Sequence, residues 1–156
     1  MIPFFAFLLG AVAGLRSMSA PAAVAWAARL GWLHLQGSPL AFLGRPAAAY
    51  LLTVLMVGEL VADKLLKTPS RTRPGPFVGR IVAGGLGGAG LTAGLGQRLV
   101  LGAVIGALGA VGGTLGGYKA RTRLVRALNV PDYVVALAED AVAVGGALLL
   151  IVAASR

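Results

Sequence analysis

Cysteine is absent from the 156-residue chain, which excludes disulfides, thiolate metal sites and cysteine nucleophiles. His34 is the single histidine, so a histidine-cluster zinc or iron site has no ligands to draw on. Charged residues make up 12% of the chain, against about 25% in ordinary soluble domains. That is too few to cover a water-facing surface. No His-Glu-x-x-His, no phosphate-binding P-loop and no Ser-His-Asp set can be assembled. The expectation is therefore a protein without catalytic residues, resident metal or cofactor, and not an enzyme.

What the chain has instead is apolar sequence, at 58% hydrophobic residues and a mean hydropathy of +0.87. Apolar runs fill nearly its whole length, which reads as a single integral membrane domain over residues 1–156. Five segments meet the requirement of about 20 mainly apolar residues for a spanning helix: 4–28, 46–63, 79–97, 99–118 and 133–154. The expected fold is all-α, a polytopic helical membrane protein with about five spans. No positively charged stretch precedes the first apolar run, so residues 4–28 read as a retained helix rather than a cleaved signal. That helix is interrupted at Arg16 and Pro21. The third segment is rich in glycine, a poor helix former, and reads as a broken or re-entrant span.

Glycines recur at four-residue spacing, as in Gly84/Gly88, Gly90/Gly94, Gly102/Gly106, Gly109/Gly113 and Gly112/Gly116. In lipid such faces let helix backbones approach closely, so Gly84, Gly88, Gly102, Gly106, Gly109 and Gly113 are expected packing positions, within a protomer or in a homo-oligomer. Gly10–Arg16 also echoes Gly113–Lys119, and with five spans these two segments run in opposite directions, as in inverted-repeat transporters.

The formal net charge is +9. On a soluble protein that suggests nucleic acid. Here the bases fall in connectors, which points to membrane lipids, with anionic headgroups at basic cytoplasmic loops, and not to nucleic acid. Lys64, Lys67, Arg71, Arg73 and Arg80 occupy one connector, and Lys119, Arg121, Arg123 and Arg126 another. Arg29, Arg45, Arg98 and Arg156 fall on the other side. With five spans, that imbalance predicts a multi-pass protein of the inner (plasma) membrane with a cytoplasmic N-terminus. Pro69, Pro74 and Pro76 keep the first basic connector from being helical throughout. Trp26, Trp32 and Tyr50 suit an interfacial aromatic belt.

Arg16, Glu59, Glu139 and Asp140 sit inside apolar runs, where a charge at mid-membrane costs roughly 2.5–3.5 kcal/mol on insertion scales. Arg16 cannot lose its proton. Ser17, Ser19 and Pro21 follow it in the pattern of a restarting helix. A helix beginning there aims N–H groups and a positive dipole end at the place where Arg16 stands, an arrangement suited to an anion. The plainer reading is that Arg16 neutralises Glu59, Glu139 or Asp140. Glu59 and Asp63 share a helix face at i, i+4, and Asp63 with Lys64 suits a helix end near an interface. Of Glu139 and Asp140, one is expected to pair with Arg16 or Lys119.

Gly14-Leu-Arg16-Ser17 with Pro21, the block Glu59-Leu-Val-Ala-Asp63-Lys64-Leu-Leu-Lys-Thr-Pro69, and Arg80 with its glycine-rich run resemble the domain of unknown function 4126 membrane family. The resemblance spans most of the chain. It implies a small multi-span membrane protein and supplies no activity. From the residues themselves, two functions remain open. One is a transport protein, channel or transporter, with a binding site of Arg16, Ser17, Ser19, Glu59, Asp63, Glu139 and Asp140 for an anionic solute or lipid headgroup, coupled to protons. The other is a non-catalytic scaffold whose buried charges are structural ion pairs.

Overall fold

The computed structural model describes residues 1–65 and 73–156. Among them the chain forms six α-helices and no strand: α1 (Ile2–Leu15), α2 (Ser19–Arg29), α3 (Pro46–Leu65), α4 (Pro74–Gly94), α5 (Leu99–Leu128) and α6 (Asp132–Ala154). Three of these, α3, α5 and α6, are long and apolar enough to cross a bilayer. The protein is an all-α, polytopic helical membrane protein. Large apolar side chains such as Leu51, Val54, Val104, Leu108, Val142 and Leu149 are exposed on its outer surface, as a lipid-facing belt requires.

The helix directions follow from who meets whom. α1 and α5 run parallel, since Gly10 lies on Gly106 and Gly14 on Ala110. α4 runs against both: Arg80 reaches Gly14 while Gly84 lies on Gly10 and Gly106. α2 follows the direction of α4, with Ala20 against Gly87 and Val24 against Gly90. α3 turns back again, placing Glu59 at Ser17 and Thr53 at Trp26. α6 opposes α1, with Asp140 at Arg16 and Gly146 at Val12.

The first apolar run is therefore a helical hairpin and not one interrupted span. α1 has 14 residues and α2 has 11, or roughly 21 and 16 Å at 1.5 Å per residue. Neither alone covers a hydrocarbon core of about 30 Å. The first of the five expected segments is thus a hairpin and not one span. Both termini lie at one end of the bundle with Arg29, Arg45 and Arg98. The end of α3, the start of α4 and the α5–α6 connection lie at the other, opposite the N-terminus.

Three further expectations change. The third apolar run is one continuous helix, starting at Pro74 with Pro76 also in its first turn. Proline there gives up an N–H that has no intrahelical partner, so Pro74 and Pro76 start α4 inside the expected connector, while Arg73 before them is extended. Pro69 lies outside the described residues. α5 continues past residue 118 to Leu128, where Asn129 in the left-handed conformation (φ 49°) ends it. Lys119, Arg121, Arg123 and Arg126 are therefore helical. Finally, the two echoing segments, in α1 and α5, are parallel and not opposed.

The centre of the bundle is a glycine seam. A Cβ added to Gly10, Gly88, Gly106, Gly109 or Gly113 would overlap backbone of a facing helix, and one on Gly84 or Gly102 would collide with Ala110 or Thr92. α1, α4 and α5 thus approach at backbone distance, and dispersion between main chains replaces side-chain interlocking. Gly116 faces open space, and Gly112 approaches only the Phe7 ring. That pair takes no part in the seam.

Candidate functional site

A break in a helix exposes carbonyls on one side and N–H groups on the other. At the α1–α2 apex both sets find charged partners. Arg80, on α4, donates from Nη1 to the carbonyls of Gly14 and Leu15, both at 2.6 Å. Thr114 on α5 donates to Gly14 as well, at 3.1 Å. On the restarting side, the Glu59 carboxylate accepts from the Ser17 N–H at 3.0 Å, the Ser17 hydroxyl at 2.7 Å and the Met18 N–H at 3.1 Å. A cation therefore covers the negative end of α1 and an anion the positive end of α2, in keeping with both dipoles. Arg80 Nη2 is 3.7 Å from Glu59, so the two caps also face each other.

Arg16 stands in the break itself and is fully buried. Its Nη1 is 2.7 Å from Asp63 on α3, and its Nε donates to Asp140 on α6 at 2.6 Å. Lys64 Nζ pairs with the other oxygen of Asp140. Arg121 on α5 extends the network: its Nε donates to Asp132 at 2.8 Å, and its Nη1 lies 3.6 Å from Asp63 and 3.5 Å from Glu139. All five acidic residues of the chain thus meet Arg16, Lys64, Arg80 and Arg121 in one cluster at the connector end. Isolated, each buried charge would cost several kcal/mol; paired and hydrogen-bonded, the set is tolerable.

Several sequence expectations resolve here. Glu59 does not pair with Arg16; it caps α2. Asp63, expected near an interface, holds Arg16. Of the Glu139–Asp140 pair, Asp140 takes Arg16, while Glu139 lies by Arg121 and Lys119 joins neither. Ser17 is at the site. Ser19 is the first residue of α2, after the N-cap Met18, whose own side chain makes no capping bond. Ser19 Oγ is buried, with no hydrogen-bond partner among the described residues.

Sequence reasoning passed over Arg80, Arg121 and Thr114 as site residues. Arg80 had a signal, since it opens the apolar run Ile81–Gly94 exactly as Arg16 interrupts the first one. Arg121 had none while residues 119–132 were read as a connector. A cavity of about 220 Å³ opens beside the apex, lined by Ser17, Glu59, Ala62, Asp63, Pro76, Gly79 and Arg80. Both carboxylates of the i, i+4 pair reach it.

A family model described as "Domain of unknown function (DUF4126)" matches residues 4–155. The chain belongs to this family. No curated protein and no solved structure matches it. The DUF4126 match covers every helix of the hairpin, the seam and the charged apex, and it brings no activity with it.

Proposed function

We propose that the protein is a small membrane transport protein whose polar site is the charged cavity at the α1–α2 apex. The observation that carries this reading is a broken hairpin whose freed backbone groups are held by Glu59 and Arg80, two charged residues that also line a cavity. Irregular backbone within a membrane is tolerated where it is buried or lines a path, and broken helix ends are a recurrent way of holding substrates and ions. Glu59 sits where an external oxyanion would sit, on the positive end of α2 beside Arg80. An anionic solute or lipid headgroup enters by taking the place of Glu59, and protonation of Glu59 weakens its hold on Ser17 and Met18. Arg16 acts as counter-ion to Asp63 and Asp140 and does not bind the solute.

The test is flux of small carboxylates and phosphate into vesicles reconstituted with the purified protein. The expected outcome is uptake that responds to a pH gradient, with that pH response lost in Glu59→Gln. Absence of flux across such a panel overturns the reading.

The full burial of Arg16 between two carboxylates favours a second reading, a scaffold whose ion pairs fix helix register. It predicts that Arg16→Asp is rescued by Asp140→Arg with no flux in either protein. For orientation, the excess of Lys and Arg at the connector end supports placing that end in the cytoplasm and both termini outside, in a plasma membrane. The exposed apolar face of α3 suits lipid or a second copy of the chain.

A further inference from the structure

Below the charged cavity lies another, between α2, α3 and α6. Its volume is about 120 Å³, and its lining includes Ser19, Trp26, Thr53, Met56, Val144 and Leu148. Ser19 is among the residues that line it, and its Oγ is buried without a hydrogen-bond partner among the described residues. A buried hydroxyl left that way costs about 1–3 kcal/mol. Thr53 Oγ1 accepts from Trp26 Nε1 at 2.8 Å and donates to the Ala49 carbonyl at 2.8 Å, which leaves it a lone pair for a further donor. Ser19 and Thr53 are thus the hydroxyl residues available to water in this space, which is several times what one water needs.

The two cavities lie in series. Ser17 lines the upper and Ser19 the lower; on α3, Glu59 lines the upper and Met56, one turn earlier, the lower. On α6, Asp140 stands one turn before Val144. Glu59 and the Arg16 ion pairs therefore occupy the boundary.

We infer that the lower cavity is hydrated, and that the proton route of this pH-coupled transport runs between α2 and α3 with Glu59 and Arg16 as its closed boundary. The route rests on the transport reading; the hydration does not. The lower cavity offers two hydroxyls and no charged side chain among its lining residues, so it gives no counter-charge to a metal ion or an oxyanion. Its chemistry suits water and the proton that water carries.

The absence of native cysteine makes the test direct. Ser19→Cys and Thr53→Cys each place one thiol in the cavity, while Ala25→Cys places one at a fully buried position on α2. The purified variants are treated with a small, water-soluble methanethiosulfonate carrying an ammonium group, and the mass shift is followed in time. Ser19→Cys or Thr53→Cys is expected to react at least ten-fold faster than Ala25→Cys, and the adduct is expected to stop flux in vesicles. Equal rates at all three positions overturn the hydration, and Thr53→Cys decides if Ser19→Cys does not fold. A wet cavity whose adduct leaves flux intact overturns the route. A wet cavity in a protein without any flux instead overturns the transport reading and leaves the hydration standing.

Discussion

Removing the Arg16 side chain strands two carboxylates, Asp63 and Asp140, in a buried setting. Breaking such a pair from one side typically costs about 3–5 kcal/mol. Arg16→Ala should therefore lower the unfolding free energy by that order, read by denaturant titration in detergent micelles, while replacing Arg16 and both of its partners together with apolar residues should recover most of it. Glu59 is different, because what it holds is backbone. Glu59→Gln keeps the shape and one acceptor oxygen but loses the charge assistance, and we expect a loss on the order of 1 kcal/mol in the same titration. At this scale the sequence was informative about which residues were unusual and poor about who met whom. Arg16, Glu59 and Asp140 are conspicuous because they interrupt apolar runs. Their partners depend on helix directions that no local pattern encodes. Asp63 looked peripheral because it adjoins Lys64, yet it lies one helical turn from Glu59 on the face that meets the apex.

The seam of α1, α4 and α5 makes a prediction at the scale of elements. Gly106→Leu must push α4 off the backbone of α5, at a cost of about 3 kcal/mol, the upper part of the usual overpacking range, since the rigid contact has no flexible side chain to yield. Gly116→Ala faces open space and should change stability by less than about 1 kcal/mol. Thermal unfolding of the two variants separates a packed glycine from an idle one at the same four-residue spacing. Gly112/Gly116 shares the four-residue spacing of Gly102/Gly106, and only the facing helices distinguish the two. The hairpin was half legible. Arg16, the serines and Pro21 marked the break, but whether the chain continues or returns after it is decided by Arg80 and Glu59, which lie 64 and 43 residues downstream of Arg16. The glycine-rich run read as broken because propensity scales describe water-exposed helices; in α4, facing backbones fill the space that side chains would take.

For the whole molecule, the arrangement predicts that both termini label from the same side. Single cysteines introduced after Met1 and before Arg156 should react together with an impermeant maleimide in sealed cells or vesicles, and one in the α5 extension, at Arg123, should be protected. Opposite labelling of the two termini would contradict the hairpin. The acidic cluster has one more consequence. Of the basic residues toward the connector end, Arg16, Lys64, Arg80 and Arg121 are spent on carboxylates once the helices have assembled, while the distal Arg29, Arg45, Arg98 and Arg156 have no acid to meet, because all five acids are elsewhere. The nascent chain therefore shows the insertion machinery a steep difference in positive charge between its two sides, and the assembled protein shows the lipid a much shallower one. Its orientation in the membrane is accordingly a record of synthesis, written before folding hides the charges that determined it.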